Sequence, residues 1–278
     1  MRRRFALLCS LLAPLCGCVQ DQPSILDTAR ATEAAGDPQA MMRVGNAAVA
    51  SGDTEAATAF YRRAAALSPS DIDAQLAYAQ ALADAGRPAE AVAVVRALRQ
   101  RRDDDPRIGV ALGQVLVVAG QPREAVVVLS DAARRYPANP RVLVALGVAL
   151  DATGNHPAAQ AEYRRVLAVA PDDVSARADL GLSLTLAGSY PEALGILRPL
   201  RTEIAGSPRA EQIVAVDNAL ALTLGLMGDT TAAAAILRRR MSAESTAENL
   251  RFYGTIRSAG GGSVQGAAEP AGNGPSRP

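Results

Sequence analysis

The chain has 278 residues, a formal net charge of +1 at pH 7, 49% hydrophobic residues and 3% aromatic residues. This near-neutral balance lacks the basic surface that a nucleic-acid-binding protein needs, so no nucleic-acid partner is expected. With 3 cysteines and 1 histidine, the sequence offers no His/Cys/carboxylate cluster at metal-ligand spacing, and we expect neither a metal nor another cofactor.

The first residues predict an export signal. Arginines at 2–4 precede an apolar run over 5–15, which is too short to span a bilayer and fits the apolar core of a signal peptide. The run ends in Leu15-Cys16-Gly17-Cys18. That motif resembles the bacterial lipobox, in which the last cysteine is lipidated and becomes the mature N-terminus. The resemblance implies a signal peptide over 1–17 and lipidation at Cys18, with a plain signal peptide cut near Cys18 as the alternative.

The segment after Cys18 predicts where the protein is held. Residues 18–23 form a short tether, and several acyl chains on one cysteine would anchor it firmly in a membrane. Val19 follows the cysteine, and by resemblance to known lipoproteins a residue other than aspartate favours the outer membrane. The predicted location is therefore the outer membrane, lipid-anchored and facing the periplasm.

A helix and then a long periodic array are predicted after the tether. Residues 24–37 are expected to form an N-terminal capping helix, with Ser24 as its N-cap and Ile25 and Leu26 on one side, since repeat arrays need atypical ends. From 38 to 240 a glycine recurs every 34 residues, except for a last interval of 40. The glycines are Gly52, Gly86, Gly120, Gly154, Gly188 and Gly228. A period of 34 residues is that of a two-helix repeat.

Other positions recur in step with these glycines. An alanine follows each glycine by five residues and a small residue precedes each by seven. The pattern is similar to that of the tetratricopeptide-repeat family, which combines Leu-Gly, a glycine turn and an alanine at these offsets. The resemblance implies an all-α solenoid of six helix-turn-helix repeats in a right-handed superhelix with flanking capping helices.

The third repeat shows the local signals. Asp105 can cap the first helix, and Pro106 suits its first turn, where a missing N–H removes no helical hydrogen bond. Gly120 is expected to end that helix in a left-handed conformation. Ala125 lets the second helix approach the first closely, and Pro137 ends the second helix.

The wide interval between Gly188 and Gly228 predicts an irregularity. Six extra residues lie near 202–208. We expect them to lengthen the connection between the fifth and sixth repeats and to loosen the array there.

The resemblance also implies a binding surface. In this family the first helices of the repeats line a concave groove, and the family's groove positions fall on Met42, Arg43, Asn46, Leu76, Gln80, Arg107, Val110, Gln114, Val117, Arg141, Val144, Val148, Asp151 and Leu182. Aliphatic side chains mixed with amides and arginines suit an extended peptide or an amphipathic helix as the partner. The alternative is that superhelical curvature simply buries several of the aliphatic side chains.

Catalysis has little support in the sequence. His156 follows Gly154-Asn155 and precedes Pro157, so we expect it to be a solvent-exposed turn residue. No nucleophile has a base partner in a recognisable motif, and the period accounts for the glycines. We therefore predict that the protein is not an enzyme.

The C-terminal part is predicted to close the array. Residues 241–258 form a capping helix with Leu250, Phe252, Tyr253 and Ile256 as its large apolar residues. Residues 259–278 are rich in Gly, Ser, Ala and Pro and are expected to be disordered.

A lipobox, a short tether and five to six repeats together resemble the TadD lipoprotein family of tight-adherence (Flp) pilus systems. The stretch from Asp217 to Leu222 and the later Asn249-Leu250-Arg251-Phe252-Tyr253 also look like that family's ending. The resemblance implies a protein partner, an outer-membrane secretin, whose localisation or assembly it assists during pilus biogenesis. A different envelope adaptor, for cell-wall enzymes or outer-membrane protein assembly, is the alternative.

Overall fold

The computed structural model describes residues 36–102, 104–206 and 212–261. Within those ranges the chain forms thirteen α-helices and no strand. The predicted signal peptide, Cys18, the tether, the N-terminal capping helix up to residue 35 and the tail from residue 262 lie outside the described residues.

The helices form consecutive antiparallel pairs. In chain order they are α1 (Pro38–Ala50), α2 (Thr54–Leu67), α3 (Ile72–Asp84), α4 (Pro88–Arg101), α5 (Pro106–Val118), α6 (Pro122–Arg135), α7 (Pro140–Ala152), α8 (His156–Val169), α9 (Val174–Leu186), α10 (Tyr190–Ile204), α11 (Ile213–Met227), α12 (Thr230–Leu237) and α13 (Ala243–Gly261). The first twelve make six pairs, each packed on the next, and α13 packs against α11 and α12. The predicted all-α solenoid of six helix-turn-helix repeats is confirmed.

Each pair turns at one of the periodic glycines. Gly120 has a φ of +72°, a conformation that strongly favours glycine because a Cβ would meet the backbone. The next N–H, that of Gln121, donates to the carbonyl of Leu116 at 2.8 Å, which satisfies a carbonyl at the helix end. The other five periodic glycines have φ between +73° and +96°. The sequence period therefore marks the turn within each repeat.

The helix starts follow the capping residues. Asp105 accepts the N–H of Arg107 at 2.9 Å ahead of α5, and Asn139 accepts the N–H of Arg141 at 3.0 Å ahead of α7. In both helices proline occupies the first position, where its missing N–H leaves no helical bond unmade. These local signals fix where each first helix begins, and so which residues it presents to the concave side.

The two helices of a repeat touch where a small residue faces a large one. A Cβ placed on Gly147 would lie 2.5 Å from the ring of Tyr163, and one on Gly113 would lie 2.3 Å from Leu129. The alanine five residues after each turn glycine is also buried, as at Ala125, which has no exposed surface. Small residues at these two positions allow the helix axes to come close together.

The apolar core runs continuously along the array. One cluster of buried residues spans α3 to α9 and a second spans α8 to α13, and Val144, Leu150 and Leu167 pack against both. Stacking of neighbouring pairs thus buries the apolar faces that a single pair would leave exposed. No helix in the described ranges combines the length and the apolar character needed to cross a membrane.

The expected loosening between the fifth and sixth repeats is wrong. The hydroxyls of Thr185 and Thr223 share a buried hydrogen bond of 2.7 Å between α9 and α11. Arg201 on α10 forms an ion pair with the buried Asp217 on α11. Part of the extra sequence is helical, because α10 and α11 each have 15 residues. The wide interval therefore lengthens these elements and leaves their packing tight.

Candidate protein-binding groove

Two open cavities lie side by side on the first helices of the repeats. The larger, of about 480 Å³, lies on α5 and α7 and reaches the start of α9. The other, of about 350 Å³, lies on α3 and α5 and reaches the start of α7. Val110, Gln114 and Arg141 line both. The two cavities therefore form one continuous surface, which we name the central groove.

Most of the predicted groove residues line this surface. Those that do are Leu76, Gln80, Arg107, Val110, Gln114, Val117, Arg141, Val144 and Val148. Sequence reasoning did not name the small residues between them, although Ala77, Ala111 and Ala145 recur at the same 34-residue period. A search of the period for recurring small residues on the first helices would have found these positions.

The floor of the central groove is aliphatic and remains accessible. Val110, Val117 and Val144 are half-buried and pack against the core, and Val148 is 41% exposed. Curvature of the array thus covers part of these side chains and leaves part of each open. Covering the remaining apolar surface with a partner would contribute about 25 cal/mol per Å² buried.

The two arginines of the central groove differ in their availability. The guanidinium of Arg107 is held by Asp73 at 2.6 Å and by Asp105 at 2.8 Å. Arg141 is exposed, and its guanidinium has no partner among the described residues. Arg141 is therefore the cation that the groove can offer to a ligand.

Carboxylates lie at the α9 end of the groove. Asp173 and Ser175 line the larger cavity, and Asp173 also caps α9 by accepting the N–H of Ala176 at 2.9 Å. Asp179 lies 34 residues after Ala145 and so occupies the same register on the next first helix. Burial, together with the charges of Asp151 and Asp173, raises the pKa of the Asp179 carboxyl to about 6.

Asp151 is directed to the interior and is not open to the groove. Its Oδ1 accepts the Ser183 hydroxyl at 2.7 Å and lies 2.8 Å from His156 Nδ1, and its Oδ2 accepts the Tyr163 hydroxyl at 3.0 Å. We name these four residues the Asp151 cluster. It links α7, α8 and α9, with Ser183 and Tyr163 fully buried.

The expectation that His156 is an exposed turn residue is wrong. It is the first residue of α8 and its side chain is 21% exposed. The helix start turns the imidazole back onto the last turn of α7, where Asp151 binds it. The sequence places His156 beside a turn but does not reveal this partner five residues earlier.

The remaining predicted residues lie away from the central groove. In the first repeat Asn46 accepts the Tyr61 hydroxyl at 2.6 Å, Arg43 lies 3.7 Å from Asp37, and Met42 packs against the core. Leu182 is half-buried against the core of the later repeats. Within the described ranges no three His, Cys, Asp or Glu side chains are placed to hold a metal ion.

Comparisons with known proteins agree with this architecture. A tetratricopeptide-repeat family model matches residues 48–114 and 116–180. A thermophilic repeat protein of Thermus thermophilus shares 22% identity over 66% of this chain and 99% of its own, with a TM-score of 0.57. A tetratricopeptide-repeat protein of Parabacteroides merdae shares 16% identity over 80% of this chain and 86% of its own, with a TM-score of 0.58. No curated protein matches the chain.

Proposed function

Because this chain is an array of tetratricopeptide repeats, we propose that it is a non-catalytic scaffold whose central groove binds a segment of a partner protein. The observation that supports this most is the continuity of the two cavities through Val110, Gln114 and Arg141. Together they offer an elongated surface with aliphatic side chains on the floor and polar groups at the edges. Such a surface suits an extended or helical segment, whose apolar side chains are buried while its polar groups set the register.

We further propose that the scaffold hangs from the outer membrane by acyl chains on Cys18 and assists a secretin in Flp pilus assembly. The lipobox-like motif Leu15-Cys16-Gly17-Cys18 supports the anchor. The likeness of the sequence stretches after Asp217 and Asn249 to the TadD family supports the pilus role. A periplasm-facing groove close to the membrane would meet outer-membrane partners as they arrive.

Replacing Cys18 with alanine is expected to release the protein from the membrane fraction. A thioether-linked lipid cannot form on alanine, and each buried methylene of an acyl chain contributes about 0.8 kcal/mol to membrane affinity. Fractionation of cells producing the full chain measures the result, with Cys16→Ala as the matched control that should remain bound. A Cys18→Ala protein that stays in the outer membrane would refute lipid anchoring.

Affinity capture of the full chain from cross-linked membranes tests the binding function. Val148→Asp places a charge on the groove floor at a position that is 41% exposed, whereas Val127→Asp makes the same change at a position that is 69% exposed on α6 and does not line the groove. We expect Val148→Asp to lose the captured partner and Val127→Asp to keep it, because a desolvated charge opposes apolar contact.

The identity and the sensitivity of the captured proteins separate the proposals. Recovery of a secretin supports the pilus role, while recovery of cell-wall enzymes without a secretin refutes it and favours the other envelope adaptor. Equal capture by the Val148 and Val127 variants refutes the groove as the binding surface.

A further inference from the structure

The central groove has different charges at different points along its length. Arg141, free of a protein partner among the described residues, projects from the first turn of α7 into both cavities. Asp73 and Asp105 already neutralise Arg107 near the other end. Asp173 lines the α9 end, and Asp179 lies beyond it on the same face. The groove therefore runs from an available cation to available carboxylates over an aliphatic floor.

Asp179 differs from the other aspartates of this region in having no compensating group. Asp151 accepts three side-chain hydrogen bonds, and Asp173 caps α9. Among the described residues no hydrogen bond or ion pair involves the Asp179 carboxyl, and the charges that act on it are those of Asp151 and Asp173. A partly desolvated carboxylate of this kind gains more from an incoming cation than an exposed one does, because water screens it less.

On these observations, and resting on the proposed function, we propose that the groove binds an extended protein segment that places an acidic side chain on Arg141 and a basic side chain on Asp179. Aliphatic side chains between the two would contact Val144 and Val148. The charge order of the groove then fixes the direction in which the segment lies.

The geometry of the array sets the spacing of the two charges in the ligand. Neighbouring packed helices have axes about 8–10 Å apart, and Asp179 lies four residues, or about 6 Å of helix rise, beyond the equivalent of Arg141 in the next repeat. The two side chains are thus about 10–12 Å apart at their helix axes. An extended chain advances about 3.3 Å per residue, so the acidic and basic residues should be about three or four positions apart.

Selection of a random-peptide display library on the full-length protein tests this inference. The enriched peptides should carry an acidic and a basic residue about three or four positions apart, with aliphatic residues between them. For a synthetic copy of an enriched peptide, Arg141→Ala and Asp179→Asn should each weaken binding by about tenfold, because each removes a charge-assisted contact. Arg164→Ala, at an exposed arginine on α8, is the matched control and should leave affinity unchanged.

A charge exchange gives the decisive readout. The double variant Arg141→Glu with Asp179→Arg should enrich peptides in which the order of the two charges is reversed. If the enriched peptides lose affinity with Val148→Asp but show no charge pair, or the same pair with the double variant, this inference is refuted and groove binding stands. If no peptide is enriched, or the peptides bind the Val148→Asp variant equally well, the groove proposal itself fails.

Discussion

Replacing Asp151 with alanine is expected to lower the free energy of unfolding by about 3–5 kcal/mol. The change removes the acceptor of Ser183 and Tyr163, both fully buried, and of the half-buried His156. Each buried donor without a partner carries a desolvation penalty of about 1–3 kcal/mol. Because the cluster links α7, α8 and α9, the fourth and fifth repeats should lose their mutual packing. Urea unfolding of the full chain, followed by circular dichroism, measures this effect.

Asp84→Ala provides the matched control. Asp84 ends α3 on the surface and accepts one exposed hydrogen bond, from Gln80 at 2.8 Å, so its removal should change stability by less than about 0.5 kcal/mol. Tyr163→Phe and Ser183→Ala each delete one donor together with its need for a partner, and each should lose only about 1 kcal/mol. If Asp151→Ala unfolds at the same urea concentration as Asp84→Ala, the cluster does not hold the two repeats together.

The repeat itself could be predicted because its determinants are local. A glycine at positive φ, a capping aspartate or asparagine and a proline in the first turn each act within a few residues, as Gly120, Asp105 and Pro106 show. Once the turns are placed, the 34-residue period also fixes which face of each first helix is concave. This is why residues such as Val110 and Arg141, chosen by register alone, line the observed groove.

The polar contacts inside the array could not be predicted in this way. Register gives the direction of a Cα–Cβ bond but not the point that the end of a side chain reaches. Asp151 shares its register with Val117, yet its carboxylate turns inward to Ser183, 32 residues away. The Arg201–Asp217 pair likewise crosses the irregular interval, where the period no longer relates one helix to the next.

Replacing Asp179 with asparagine is expected to raise the free energy of unfolding at pH 7 by about 1–3 kcal/mol, since a tenfold change in proton affinity between the folded and unfolded states corresponds to about 1.4 kcal/mol. The pKa of its carboxyl is about 6 in the folded chain, against an ordinary value of 3.8. The folded state therefore binds the proton more tightly than the unfolded state. Stability of the unchanged protein is favoured below pH 3.8, falls as pH rises from about 4 to 6, and levels off above that range.

Asparagine has no charge to bury, so this contribution is absent from the variant. The difference in stability between Asp179→Asn and the unchanged chain should thus appear between about pH 4 and 6 and disappear below it. Urea midpoints measured across that range give the difference directly, and Glu248→Gln, at an exposed carboxylate on α13, is the control that should not show it. A difference that is constant with pH would mean that burial does not oppose ionisation of Asp179. A variant that gains stability while losing its preference for a basic residue would show that this carboxylate opposes folding and favours recognition.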